Sequence, residues 1–217
     1  LEQLNPFISI EAFPYHLDIS HAEALFKQYD MVLDCTDNFK TKFLINDAAV
    51  FVGITAIFAS VYQIEGQLHL VAPNKDSACL RCDWPEIPDD NCTGTCTDVG
   101  VLGVTPGLLG TLQATEAIKL ILELKTPLTD HLLITNLLTH HTMRLKRLTN
   151  PNCPLCGVNP SIVTLTPELY KNQKPWEIPL DLTILLSSQL IDLRETEECH
   201  ALPLQQPHQN WPLRTIN

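Results

Sequence analysis

Eight cysteines stand among the 217 residues, and four fall into two equally spaced pairs, Cys79-Leu80-Arg81-Cys82 and Cys153-Pro154-Leu155-Cys156. Two turns that each present two thiolates can close around one tetrahedral zinc ion, and four sulfur ligands leave no position for a reactive water, so the role is structural. The 70 residues between Cys82 and Cys153 make the metal a clasp between distant parts of the chain. A second group is Asp34-Cys35-Thr36-Asp37-Asn38, which follows the apolar run Met31-Val32-Leu33. Carboxylates at the carboxyl end of a buried strand point into the crevice where α/β proteins bind ligands, and one could hold magnesium against nucleotide phosphates. The same Asp37-Asn38 pair can equally be a helix cap. The third group is the polar loop 91–101, with Cys92 and Cys96 ahead of a helix start. A helix N-terminus lowers a thiol's pKa, so this loop holds either a reactive thiol, an inert one or an alternative metal ligand.

The elements that must position these groups follow from pattern and punctuation. Residues 31–35 read as a parallel strand, and 39–52 as a helix that Gly53 ends. Two β-rich runs, 54–62 and 67–71, are separated by Glu65-Gly66, which suggests a hairpin turn. Thr105-Pro106 opens a long amphipathic helix over 108–124, with Leu112, Ala114, Ile118 and Ile121 expected to face the core. Runs 132–137 and 142–148 look like another strand pair. This order indicates an α/β domain with an antiparallel edge. Composition shifts beyond Gly157: nine of the 16 prolines lie between Pro151 and Pro212, which marks a linker before a small ordered unit.

In this order the motifs closely resemble the MoeB, ThiF and HesA group of ubiquitin-activating-like adenylyltransferases. The resemblance covers residues 1 to about 157. It rests on Val32-Leu33-Asp34-Cys35-Thr36-Asp37-Asn38, Gly66-Gln67-Leu68, Cys79-Leu80-Arg81-Cys82-Asp83-Trp84-Pro85, Cys96-x-x-x-Gly100-Val101-Leu102-Gly103, 110–119 and Pro151-Asn152-Cys153-Pro154-Leu155-Cys156-Gly157. It implies a partial Rossmann-like fold, a mixed sheet with helices, spanning 1–157 and clasped by zinc on Cys79, Cys82, Cys153 and Cys156. By the same resemblance Asp37 holds magnesium and ATP, with Asn38 and Lys42 beside it. Lys42 stands where the family usually has arginine, keeping the charge without the bidentate fork. Cys96 matches a crossover-loop cysteine that can link covalently to the activated carrier, and Cys92 has no counterpart. Residues 190–198 resemble the opening of a rhodanese-like domain, which divides the remainder into a 158–179 linker and an incomplete 180–217 domain.

The implied activity is ATP-dependent adenylation of the C-terminal carboxylate of a small ubiquitin-like sulfur carrier ending in Gly-Gly, of the molybdopterin or thiamin type. A persulfide donor would then supply sulfur, and the family implies a homodimer. The alternative is a non-catalytic, zinc-clasped carrier-binding module or a degraded relative. It arises because every glycine lies at or after Gly53, so the first 52 residues hold no Gly-rich phosphate loop, and the chain is expected to begin in mid-domain. The resemblance implies this adenylation activity for the complete protein.

The composition sets bounds on both possibilities. Fourteen basic against 25 acidic residues give a net charge of −11, which argues against a duplex-binding surface. With 45% hydrophobic and 18% charged residues the chain can bury a core. The uncharged stretch 48–63 is too short and mixed to span a membrane. The opening shows no secretion signal, so the paired cysteines read as metal ligands in a reducing cytoplasm.

Overall fold

The computed structural model describes residues 3–74, 77–88 and 100–170, together with strand residues 191–192 and 209–210. A short helix α1 (Ala22–Phe26) leads into strand β1 (Met31–Asp34). Helix α2 (Phe39–Val52) then makes the crossover to β2 (Thr55–Tyr62), and β1 and β2 run parallel from Met31 opposite Thr55 to Asp34 opposite Phe58. Both ends of α2 have local causes. The Asn38 side chain accepts the Thr41 N–H at 2.8 Å, and Gly53 ends the helix in the left-handed region at φ 79°.

Strand β3 (Glu65–Val71) returns antiparallel to β2 through Gln63 and Ile64, with Gln63 at φ 52°. The turn therefore precedes the expected Glu65-Gly66, and both of those residues pair within the sheet. Packing explains the difference. A Cβ on Gly66 would meet Leu109 Cδ2 at 2.2 Å, so this glycine permits a helix to approach the sheet. After the short helix α3 (Leu80–Asp83) and the long helix α4 (Val104–Ile121), strands β4 (His131–Asn136) and β5 (His141–Lys146) complete an antiparallel edge. The sheet order is β1-β2-β3-β4-β5, the mixed α/β sheet expected.

Alternation along the strands divides the core. Ala56, Phe58 and Val71 pack with Phe43, Leu44, Ala48 and Leu80 on the α2 face, and Ile57, Leu68 and Leu70 pack with Leu109 and Leu128 on the α4 face. The buried stripe of α4 is Thr105, Leu109, Gln113 and Glu116, which corrects the expected core face. Leu112 is half-buried, Ala114 is exposed, and Ile118 and Ile121 are 55% and 68% exposed. This helix carries apolar residues on more than one side, so periodicity cannot select the inner face. The polar side chains that bond to the sheet and the following turn select it instead.

The chain divides into two compact units, 1–173 and 174–217. Residues 158–170, part of the stretch expected to be a linker, belong to the first unit. Ile162 is buried there, and Leu165, Leu169 and Tyr170 pack on the α2 core. In the second unit β6 (Ile191–Asp192) pairs in parallel with β7 (Gln209–Asn210). The remaining residues of the expected rhodanese-like segment lie outside the described residues. Among the described residues no helix is long and apolar enough to cross a membrane.

Candidate metal centre and strand-end site

The two Cys-x-x-Cys turns meet. Sγ–Sγ distances are 3.9 Å for Cys79–Cys82, 3.6 Å for Cys79–Cys153, 3.4 Å for Cys82–Cys156 and 3.3 Å for Cys79–Cys156. All four sulfurs lie within 4.8 Å of one another. A disulfide needs about 2.05 Å, whereas zinc bonds of about 2.3 Å in a tetrahedron place sulfurs about 3.8 Å apart. The cluster is therefore built to the size of a metal centre. The Asn150 N–H donates to Cys82 Sγ and the Cys156 N–H to Cys153 Sγ, each at 3.5 Å, as expected around thiolates. Hydrogen bonds with Cys156 and Cys79, helped by Asn150, hold the Cys82 thiol down to about 2. Bonds to Cys156 and Cys82, with burial, push Cys79 far up. Four crowded sulfurs cannot all shed protons unaided, and a divalent cation removes that restriction. The second turn closes on Gly157, whose N–H donates to the Cys153 carbonyl at 3.1 Å.

One buried ion pair, Arg81–Asp47, and one with an exposed carboxylate, Arg147–Asp83, fasten the first knuckle to the fold. Arg81 Nε donates to both Asp47 oxygens at 3.0 Å, its Nη2 donates to Oδ2 at 2.7 Å, and its Nη1 donates to the Pro85 carbonyl at 2.9 Å. Tyr170 Oη adds a bond to Asp47 at 2.8 Å, and Asn46 Oδ1 accepts the Leu80 N–H at 2.9 Å. Arg147 joins β5's end to the same knuckle, donating to Asp83 at 2.7 Å and to the Cys79 carbonyl at 3.1 Å. None of these partners stood out in the sequence. The only sequence signal was charge inside apolar stretches, as at Asp47 before Ala48-Ala49.

At the carboxyl end of β1 the Asp34 carboxylate is fully buried. One oxygen pairs with Lys42 Nζ, and the other accepts the Thr36 N–H at 3.1 Å and Thr36 Oγ1 at 2.6 Å. Lys42 also donates to the Ala59 carbonyl at 3.1 Å and lies 5.6 Å from the Phe58 ring centre. Of the residues expected around a nucleotide, Asp37 is exposed, Asn38 is occupied in capping α2, and Lys42 is buried with its charge directed inward. Gln113 bridges the parallel strands from α4, donating to the Asp34 carbonyl at 2.9 Å and the Ile57 carbonyl at 2.8 Å. Cys35 Sγ reaches Gln113 Oε1 at 3.7 Å, and burial, then the Asp34 charge, raises its thiol. Next along the sheet His69 stacks on Phe58 at 5.2 Å. Burial, then the charges of Arg147 and Lys42, pushes its imidazole well below the usual histidine range. Cys92 and Cys96 lie outside the described residues.

A parallel strand pair joined by a helix crossover and an antiparallel edge define a Rossmann-like α/β protein, which also carries a four-cysteine cluster that could hold a metal ion. The ThiF family matches residues 1–155, and the chain belongs to it. It is 38% identical over 165 residues to the sulfur carrier protein adenylyltransferase of Thermus thermophilus, covering 74% of this chain and 61% of that protein. Against the SAMP-activating enzyme E1 of Haloferax volcanii it is 38% identical over 154 residues, covering 71% and 56%. Against the adenylyltransferase and sulfurtransferase UBA4 of Vanderwaltozyma polyspora it is 36% identical over 163 residues, covering 73% and 37%. The chain thus spans between 37% and 61% of these relatives' lengths. Among solved structures, E. coli MccB with ATP superposes with a TM-score of 0.57 at 17% identity, covering 71% of this chain and 48% of MccB. That likeness shows the fold.

Proposed function

We propose that this chain carries the metal-clasped part of an ATP-dependent adenylyltransferase that activates the C-terminal carboxylate of a small ubiquitin-like sulfur carrier. The observation that carries this reading is the exposed Asp37 at the carboxyl end of a parallel strand pair, where open α/β sheets bind ligands. Family membership and the names of the relatives in Thermus and Haloferax support it. So does MccB, a protein of the same fold solved with ATP. A carrier carboxylate oxygen attacks the α-phosphorus, the bond to pyrophosphate breaks, and an acyl adenylate forms. Asp37 would hold magnesium, which neutralises charge on the phosphates and the leaving pyrophosphate.

The terminal sulfur of a persulfide donor would then displace AMP, or displace Cys96 from a thioester it had formed with release of AMP, to give an acyl disulfide. A second thiol would cleave its S–S bond, releasing the thiocarboxylate and leaving a disulfide with the donor's sulfur. Zinc on Cys79, Cys82, Cys153 and Cys156 takes no part in these steps. A homodimer and a rhodanese-like continuation over 180–217 belong to the same proposal. The test is carrier-dependent ATP–pyrophosphate exchange after zinc content is confirmed. Exchange is expected in the active protein and absent in Asp37→Ala, and undiminished exchange in that variant removes the magnesium role. Carrier binding by the zinc-loaded protein with no exchange would favour the binding-module alternative.

A further inference from the structure

Asp37 lies between two residues that are fastened independently. On one side Thr36 gives both its N–H and its hydroxyl to Asp34 Oδ1, at 3.1 Å and 2.6 Å. On the other side Asn38 is fixed by the bond from the Thr41 N–H. Asp34 is the first member of this chain of contacts, and burying its carboxylate without a cation beside it would be costly. That cation is Lys42, one helical turn past Asn38. It is 8% exposed and contacts the carboxylate, the Ala59 carbonyl and the Phe58 ring face. Gln113 holds the Asp34 carbonyl from the opposite face of the sheet.

We propose that Lys42 is a positioning residue: by pairing with Asp34 it fixes the 35–37 turn at the end of β1, and so sets where the Asp37 carboxylate stands, without contacting the nucleotide. The inference rests on the role proposed for Asp37 and deepens it. Two of the three ammonium donors have partners inside the fold and the ammonium lies over the Phe58 ring, so the head reaches a nucleotide phosphate only by abandoning Asp34. If Lys42 is removed, the buried Asp34 carboxylate loses the partner that fixes one of its oxygens, and its hold on Thr36 weakens.

Hydrogen exchange at the Thr36 amide in the zinc-loaded protein, measured without nucleotide, separates a clamp from a nucleotide ligand. Lys42→Met is expected to lower protection of that amide by about tenfold or more, the scale of losing one charge-assisted bond. Lys42→Arg should restore it, and amides of β4 and β5 should not change. Because Lys42→Met leaves a buried charge, Thr36→Val provides a near-isosteric second variant that breaks the same link and should loosen residue 36 in the same way. Unchanged protection in these variants overturns the proposal. In pyrophosphate exchange, Lys42→Met should raise the magnesium concentration for half-maximal rate with the carrier KM unmoved. A raised ATP KM with unaltered magnesium dependence would make Lys42 a ligand and overturn the proposal as well. Failure of the underlying function looks different: Asp37→Ala would leave exchange activity intact while Thr36 stays protected.

Discussion

A Cβ placed on Gly157 would meet the Cys153 carbonyl oxygen at 2.5 Å and the Pro151 carbonyl oxygen at 2.6 Å, and neither backbone group can swing aside. Gly157→Ala is therefore expected to open the second knuckle at a cost of about 2–3 kcal/mol. Competition with a chromophoric chelator should show the weaker hold on zinc. A second expectation concerns His69. Its imidazole is held well below 6.5 by burial, while in the unfolded chain it protonates near that value. Above pH 6.5 both states are neutral and the full stability is present. As the pH falls below 6.5 only the unfolded state gains the proton, so stability should drop by up to about 1.4 kcal/mol per pH unit until the folded pKa is reached. His69→Phe should remove that slope in urea melts between pH 6.5 and 5.5. At this scale the meeting of the four cysteines was legible because the spacing within each pair is local. Asp34 was legible as a strand-end carboxylate but not its pairing with Lys42, and His69 was not, since its stacking partner Phe58 is set by the register of β2 and β3.

Helix α2 connects the strand-end site to the metal centre: its first turn follows Asp37 and Asn38, and Asp47 near its far end holds Arg81 of the knuckle. Removing Arg81 strands a fully buried carboxylate, so Arg81→Ala should cost about 3–5 kcal/mol. Arg81→Met combined with Asp47→Asn should recover most of this in the same denaturant series. If the single variant costs under about 1 kcal/mol, the pair behaves like an exposed one and the coupling is absent. Both ends of α2 were legible because Asn38 and Gly53 act on their own neighbours. Helix α4 was less so, because Gln113 on its inner face is chosen by carbonyls of β1 and β2 that only the assembled sheet presents. The hairpin turn was displaced for a related reason: Gly66 answers to Leu109, 43 positions further along.

Across the first unit the four-cysteine cluster gathers segments far apart in sequence, alongside the Arg147–Asp83, Asn150–Cys82 and Tyr170–Asp47 contacts. Cys79 and Cys82 sit with α3, Cys153 and Cys156 follow β5, and 158–170 returns from the second knuckle to Asp47 through Tyr170. Metal analysis should find one zinc per chain. Stripping it with a chelator should lower the melting temperature and expose amides of 158–170 to exchange before those of β2 and β3. Equal exposure of both would mean that the clasp holds the whole sheet rather than its periphery. The mixed sheet was legible as an α/β order with an antiparallel edge. The return of 158–170 was not, because its prolines read as a linker and its scattered apolar residues carry no period that says which surface they will meet.

The distance between the two knuckles also sets a schedule for synthesis. Cys82 leaves the ribosome 71 positions ahead of Cys153, and at roughly 5–20 residues per second the first pair of thiolates waits about 4–14 s for the second. Throughout that interval the nascent chain offers a two-coordinate site, open to oxidation or to the wrong metal. If zinc fills the clasp, its assembly would call for reduced thiols and available zinc while the chain is still being made.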